Sequence, residues 1–389
     1  MDDSTTIRTV RFRVLPGNRA KARALNSLAG ACRYVWNQTL ADHDDLYRIS
    51  RMVGAPPPSV SFFTLGKGFT DLRRATPWLQ DHSFSVVRHT LKRQADAWSA
   101  FFAGDAGRPR FKSHHADRDG FTIPENVRFD GQHISIPRLG KVRLRRRGGN
   151  PHADDEPRTA TFARRNGKWY CTIAYRVAEP AKCANGAAVG VDMNVGQIAT
   201  SDGHIHRMPD LSRLEPRRRR YQRMVARRRK GSGRRERAKT LLAKTSARIA
   251  AIRNDWQHQA SRRIADSAEV VCIEDLRTNA MTAKGGARKR GLNREALATG
   301  WSGLRRNLEY KATTVLPVNP AYTSQTCAEC GHAAKANRVS QAEFQCVECG
   351  HRDNADVNAA RNIRRQGLAR LHGEGRSDCR PLRPVKRVA

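Results

Sequence analysis

The sequence predicts an α+β multidomain chain: a β-barrel with a helical domain inserted into it, then an α/β domain and a zinc ribbon. Three observations predict this. Two-residue alternation appears at the N-terminus and again after residue 117, with helical periodicity between; a fresh apolar strand opens at Ala188; and two Cys-x-x-Cys pairs stand 15 residues apart near the C-terminus. A length of 389 residues, at roughly 100–200 per domain, fits two or three domains.

From Thr6 to Leu15, Ile7, Val10, Phe12 and Val14 alternate among Arg and Thr, close to the period of a half-buried strand, and Pro16-Gly17 ends it. Leu25, Leu28, Cys32, Val35 and Leu40 then recur at helical spacing from Ala20 to Met52, until the run Pro56-Pro57-Pro58 breaks the helix. A second helix, from about Ser83 to Phe102, sets Val86, Val87, Leu91, Ala95, Trp98 and Phe101 against His89, Lys92 and Arg93. Short alternating runs at 121–123, 133–136, 142–144 and 169–175, parted by Gly, Asn and Pro, read as a barrel or sandwich. A lone strand is not stable, so Thr6 to Leu15 is expected to pair with these later strands across the helical insertion.

After the polar linker 181–186, Ala188 to Thr200 reads as one apolar strand. Pro216 to Ala265 reads as two Arg-rich helices parted at Lys230-Gly231-Ser232-Gly233, the second burying Leu242, Ile249, Ile252, Trp256 and Ala260. Val270 to Leu276 is a short buried strand, 278–293 a basic, Gly-containing mobile loop, and the residues from about Arg365 lack periodicity and are expected to be disordered.

Lys and Arg number 73 against 36 Asp and Glu, a formal charge of +37, with a pI of about 11.1. That balance calls for a polyanionic partner. Arg is dispersed through several segments, which fits phosphate backbones better than a lipid surface. No run of about 18 apolar residues occurs, which excludes a membrane-spanning helix. The N-terminus does not read as a secretory signal, so a cytosolic protein is expected.

Cys327, Cys330, Cys346 and Cys349, each pair followed by a Gly (Gly331, Gly350), have the spacing of two knuckles that place four thiolates around one Zn²⁺. Four cysteines complete a closed structural site, so His332 and His351 read as surface or supporting groups. Three acids stand in unusual settings: Asp192 inside the apolar Val189-Gly190-Val191-Asp192, Glu274 ending Val270-Val271-Cys272-Ile273, and Asp356 opening Asp356-Val357-Asn358-Ala359-Ala360. A carboxylate within an apolar strand is costly to bury without a partner. If the three converge, their repulsion is relieved by hard divalent cations, the arrangement of a two-metal phosphodiester hydrolase. Singly, each has a plainer reading: a turn contact for Asp192, a strand-end ion pair for Glu274, a helix cap for Asp356. His204-Ile205-His206 has the two-histidine spacing of nucleases with a tyrosine nucleophile, but reads as a solvated turn. No phosphate-binding Gly-x-x-x-x-Gly-Lys-Ser/Thr loop occurs, so ATP use is not indicated. The basic run from Arg217 is of one sign and lacks Glu at i+4, which favours backbone binding over a solvated helix face.

Gly190-Val-Asp-Met-Asn-Val, Ile273-Glu-Asp-Leu, Leu308-Glu-Tyr-Lys-Ala, Asn319-Pro-Ala-Tyr-Thr-Ser-Gln-Thr-Cys-Ala-Glu-Cys-Gly and Phe344-Gln-Cys-Val-Glu-Cys-Gly through Asp356-Val-Asn-Ala-Ala-Arg-Asn-Ile resemble the TnpB (OrfB) family of transposon-encoded proteins, similar to miniature type V CRISPR effectors. Cys32-Arg-Tyr-Val-Trp-Asn, Gly107-Arg-Pro-Arg-Phe-Lys and Ile136-Pro-Arg-Leu-Gly extend the resemblance over nearly the whole chain.

The resemblance implies an RNA-guided DNA endonuclease. It implies a wedge β-barrel in two parts, 1–18 and 117–183, around a helical recognition domain, 19–116. It further implies an RNase H-like (RuvC) nuclease in two parts, 184–322 and 353–366, around a zinc ribbon, 323–352, with a disordered tail at 367–389. Asp192, Glu274 and Asp356 match the RuvC acids, Asp192 bridging two Mg²⁺ and the others completing the shells. Cys327, Cys330, Cys346 and Cys349 match the ribbon's zinc ligands. The implied partners are a guide RNA from the transposon end and target double-stranded DNA beside a short adjacent motif, in a monomeric, prokaryotic, nucleoid-associated ribonucleoprotein. Arg33, Arg88, Arg110, Lys112, Arg217, Arg218, Arg227 and Arg228 are the candidate nucleic-acid contacts. A non-catalytic RNA-guided regulator and a recombinase acting without a guide are the alternatives. Against the family pattern, the segment between Lys311 and Val318 is short and lacks a Gly-containing turn, so a shortened strand is expected there.

Overall fold

The computed structural model describes residues 5–114, 119–276 and 299–373, together with 291, 293 and 297. The chain divides into two compact units, one up to Glu179 and one from Pro180, so the boundary falls four residues before the one expected at 183.

The first unit contains β1 (Thr5–Leu15), α1 (Arg19–Met52), α2 (Phe62–Ala75), α3 (Phe84–Phe102), β2 (Gly120–Ile123), β3 (His133–Ile136), β4 (Gly140–Arg145), β5 (Glu156–Arg165) and β6 (Lys168–Ala178). Its strands form one antiparallel sheet in the order β2-β5-β6-β1-β4-β3. The N-terminal strand does pair with later ones: β1 runs against β6 from Thr5↔Ala178 to Arg13↔Tyr170, and against β4 at its far end. Its alternation buries Val10, Phe12 and Val14. The inserted helices share this core, with Leu25, Leu28 and Val35 of α1 and Val86, Val87 and Leu91 of α3 packed in the same cluster as Phe121, Phe162 and Ile173. Two elements were not expected. Helix α2 starts after its cap Ser61, whose side chain accepts from the Thr64 backbone nitrogen while the Thr64 hydroxyl accepts from that of Ser61. Strand β5 hides its pattern behind Thr and Arg on its exposed face.

The second unit contains β7 (Ala188–Asn194), β8 (Gln197–Thr200), β9 (Ile205–Arg207), α4 (Leu214–Arg227), α5 (Gly233–Ser267), β10 (Val270–Glu274), α6 (Trp301–Lys311), β11 (Thr314–Val318), β12 (Glu343–Gln345), β13 (Arg352–Asn354) and α7 (Ala355–Leu371). The sheet order is β11-β10-β7-β8-β9. Strands β7, β10 and β11 are parallel, while β8 and β9 turn back antiparallel. Central parallel strands are covered on both faces, and so read as unbroken apolar runs. One face packs on Trp256, Ala260 and Ile264 of α5 and Leu304 and Leu308 of α6; on the other, Ile363 of α7 packs on Cys272 and Val318.

Several expectations are corrected here. The single strand expected over Ala188 to Thr200 is a hairpin: Asn194 pairs with Gln197 across a two-residue turn in which Gly196 takes φ +78°. His206 lies in the edge strand β9. The strand expected to be shortened between Lys311 and Val318 is complete, since all five residues of β11 pair with β10. Helix α7 runs to Leu371, past both the expected end of the nuclease at 366 and the expected onset of disorder. Within it Gly367 rests on Cys272, where a Cβ would stand 2.2 Å from Sγ. The tail from 374, and nearly all of the loop expected at 278–293, lie outside the described residues.

Candidate active site

Strands β7 and β10 are adjacent and parallel, with Val191 opposite Ile273. The next residue on each is an acid, Asp192 within β7 and Glu274 at the end of β10, so the two acids lie side by side. The third acid reaches them through the close approach of α7 to β7. At Gly190 a Cβ would lie 1.9 Å from the carbonyl oxygen of Ala360 and 2.6 Å from the Arg364 nitrogen, so only glycine fits. Two residues along the strand advance about 6.6 Å, and four along the helix about 6 Å. Asp192 is therefore level with Asp356, one turn before Ala360. Asn354 caps α7, accepting from the backbone nitrogens of Asp356 and Val357, and a carboxylate in this first turn is favoured by the helix dipole.

All three acids are buried, at 8 %, 8 % and 2 % relative exposure, where unpaired carboxylates are seldom found. Asp192 is raised well above the ordinary carboxylate range, by burial first and then by the negative charges of Glu274 and Asp356, with Arg338 and the Met193 backbone opposing. Glu274 is also raised by burial, against a hydrogen bond from Thr323. The Thr323 hydroxyl donates to Glu274 Oε1 at 2.7 Å, the Asn194 amide to Asp192 Oδ2 at 3.0 Å, and the Gln197 amide to Asp356 Oδ2 at 2.6 Å. Asp356 Oδ1 is buried without a hydrogen bond; Arg338 Nη2 stands 3.5 Å from it. Three mutually repelling hard-oxygen groups and an orphaned buried acceptor fit a divalent cation. Beside Glu274 opens a cleft of about 250 Å³, lined also by Met193, Trp301, Arg305 and Arg306.

The four cysteines do come together. Cys327 and Cys349 Sγ are 3.7 Å apart, and Cys330 and Cys346 Sγ 3.6 Å. Sulfurs around a tetrahedral zinc at about 2.3 Å stand about 3.8 Å apart, so the spacing fits that ion. Both knuckles are built alike: Gly331 and Gly350, with φ +78° and +69°, return their N–H to the carbonyls of Cys327 and Cys346. Among the described residues these four form the group whose ligand atoms all lie within 4.8 Å of one another; the three acids are spaced more widely. Asn358 and Asn362 of α7 donate to the Thr326 carbonyl and staple the base of the ribbon to the helix that carries Asp356.

Sequence reasoning named the acids but missed what holds them. Asn194 and Thr323 lie in motifs quoted for other residues, whereas Gln197 and Arg338 carried no signal. Most of the basic candidates are engaged within the protein. Arg33 pairs with Asp119 at 2.5 Å, Arg88 lies over Phe62, Arg218 pairs with Glu215, and Arg228 donates to the Arg234 carbonyl. Lys112 lies over Trp36 at 3.4 Å, and burial lowers its pKa to about 8. Arg110, Arg217 and Arg227 are exposed. His204 and His206 line a separate pocket with Asp202 and Arg263, and no tyrosine is among its lining residues. No helix among the described residues is long and apolar enough to cross a membrane.

Comparison with known proteins points the same way. Residues 172–284 match the OrfB_IS605 family model, described as "Probable transposase", and residues 301–363 match the Cas12f1-like TNB domain. Residues 1–51 match a model described as a helix-turn-helix domain, although residues 5–51 form one strand and one continuous helix. The chain is 32 % identical over 398 residues to InsQ of Escherichia coli (strain K12), whose name gives it as an RNA-guided DNA endonuclease by inference; the match covers 97 % of this chain and 96 % of that protein. It is 35 % identical over 144 residues to the CRISPR-associated endodeoxyribonuclease Cas12f1 of Sulfoacidibacillus thermotolerans, covering 34 % and 31 %. Its fold is similar to Cas12f1 in a cryo-EM complex with sgRNA and target DNA, with a TM-score of 0.57 at 14 % identity over 92 % of this chain and 98 % of that one.

Proposed function

The chain belongs to the OrfB (TnpB) family, and from that premise we propose that it is an RNA-guided DNA endonuclease whose nuclease centre is Asp192, Glu274 and Asp356. What supports this reading is three buried acids, from β7, β10 and the start of α7, with the charges of Glu274 and Asp356 acting on Asp192, on one unit with a mixed five-stranded sheet. On this reading residues 184–322 and 353–366 are the two parts of the RuvC nuclease, with α7 continuing to Leu371. The ribbon, 323–352, holds zinc on Cys327, Cys330, Cys346 and Cys349. The sheet and helices before residue 180 are the wedge and recognition regions, which grip guide RNA and target DNA.

The three acids would hold Mg²⁺, which supplies an activated water and stabilises the leaving oxygen when bound. The chain's own part is to keep the carboxylates dry and aimed. Asn194, Thr323 and Gln197 each fix one oxygen, and Arg338 lies close enough to meet a phosphate drawn towards Asp356. The guide carries sequence specificity by pairing, so the protein needs contacts with phosphates and A-form backbone, which suits +37. Arg110, Arg217 and Arg227 are exposed, Arg217 also donating to the Tyr221 hydroxyl, and would make such contacts.

The test is Asp192→Ala in the guide-loaded protein. Cleavage of a matched plasmid should be lost while RNA and target binding stay near wild type, because a lost metal ligand acts on the transition state. Retained cutting would sink the assignment. Sequencing RNA that copurifies with the protein should recover one discrete transposon-end transcript; its absence would favour a recombinase acting without a guide.

A further inference from the structure

The three side-chain hydrogen bonds to the acids share one pattern. Each comes from a neutral side chain, and each takes one oxygen of one carboxylate: Asn194 to Asp192 Oδ2, Gln197 to Asp356 Oδ2, Thr323 to Glu274 Oε1. An arginine or lysine would bind more strongly but would cancel the charge that a cation needs. An amide or hydroxyl fixes the rotamer and leaves the charge in place. Arg338, the cation that approaches Asp356, stays at 3.5 Å, beyond good hydrogen-bond length.

Thr323 does more than touch Glu274. Its side chain is almost fully buried, and its single hydroxyl proton has two acceptors in reach, Glu274 Oε1 at 2.7 Å and the Pro320 carbonyl at 3.1 Å. The nearer acceptor, Glu274, takes it. The Thr323 carbonyl in turn accepts from Asn362 of α7 at 3.0 Å. Glu274 is thereby referenced to the helix that carries Asp356, and Gln197 references Asp356 to the hairpin that carries Asp192. The acids come from elements far apart in sequence, and these donors lock their relative aim.

We infer that Asn194, Gln197 and Thr323 are positioning residues that orient the three acids for divalent metal, an inference that rests on the nuclease reading above. The test uses the full-length protein freed of RNA, titrated with Mn²⁺ and followed by electron paramagnetic resonance, with Asp192→Ala as the blank. The Mg²⁺ dependence of cleavage is then measured on the guide-loaded protein. Thr323→Val, which keeps the shape and removes the hydroxyl, should weaken Mn²⁺ binding and raise the half-saturating Mg²⁺ on the order of 10-fold. The maximal rate at saturating Mg²⁺ should fall less. Thr323→Ser, which restores the donor, should return both to within about twofold of wild type. Gln197→Leu should behave like Thr323→Val, and it carries the test if the valine variant fails to fold. Wild-type metal affinity in both Thr323→Val and Gln197→Leu overturns the inference, as does a serine variant no better than valine, which would mean packing alone. Wild-type protein that takes up no more Mn²⁺ than Asp192→Ala overturns the metal site itself, and the positioning role with it.

Discussion

Gly190→Ala tests the contact that brings Asp356 to Asp192. The added Cβ would stand 1.9 Å from the Ala360 carbonyl oxygen, and since Cβ contacts under 3.0 Å are essentially not found, α7 must retreat by about 1.1 Å. The obstacles are the Ala360 carbonyl oxygen and the Arg364 nitrogen and Cβ of a helix packed on β7, β8, β10 and β11, so no side-chain end can swing aside. Overpacking of this kind costs about 1–3 kcal/mol or more. The functional cost should be larger in proportion, because a displacement of about 1 Å at a reacting centre can lower the rate about 100-fold. The assay is single-turnover cleavage by guide-loaded protein, alongside thermal melting and target binding. We expect cleavage to fall about 100-fold, melting to drop, and target binding to change little. Gly68→Ala is the control: this glycine is exposed in α2 with nothing near its missing Cβ, and alanine there should add up to about 1 kcal/mol of helix stability. If Gly190→Ala cleaves and melts like wild type, the helix does not rest on the strand as described and the convergence of the acids falls.

Two further predictions concern the metals. Cys346→Ser should abolish zinc binding, taking the content measured by elemental analysis from about one ion per chain to none; full zinc content in that variant would refute the ribbon. Asp192→Asn tests the electrostatic frustration of the centre. Asp192 is raised by burial and by its two acidic neighbours, so the stability its protonated form contributes is present at low pH and lost as pH rises through the raised pKa. Metal-free Asp192→Asn should therefore melt above wild type near pH 8, with the gap closing towards the ordinary carboxylate range, and Mg²⁺ should reverse the order by stabilising only the wild type. A wild type as stable as the variant in metal-free buffer at pH 8 would refute the repulsion.

The ribbon was legible in the sequence because metal spacing is local: two residues between cysteines and a glycine after each pair suffice to build a knuckle, whatever surrounds it. The acids were legible for a related reason. A charge inside an apolar run is a conflict visible in one dimension: Asp192 lies within β7 and Glu274 closes β10. Local pattern failed where two structures share one pattern. The run Ala188 to Thr200 is equally apolar as one strand or as a hairpin, and the tertiary sheet chose the hairpin, which delivers Gln197 to the site. Nor could it foretell that α7 runs on to Leu371.

The sequence by itself determined which residues can carry the chemistry: four thiols in metal spacing, three carboxylates too costly to bury alone, and a positive charge that demands a polyanion. Tertiary structure decided which of them meet and what aims them. The contact of Gln197 with Asp356 spans 159 positions and that of Thr323 with Glu274 spans 49. Periodicity reports only which face of an element is buried; the distance between two such faces is fixed by packing, here by a missing Cβ at Gly190, and no local pattern encodes it.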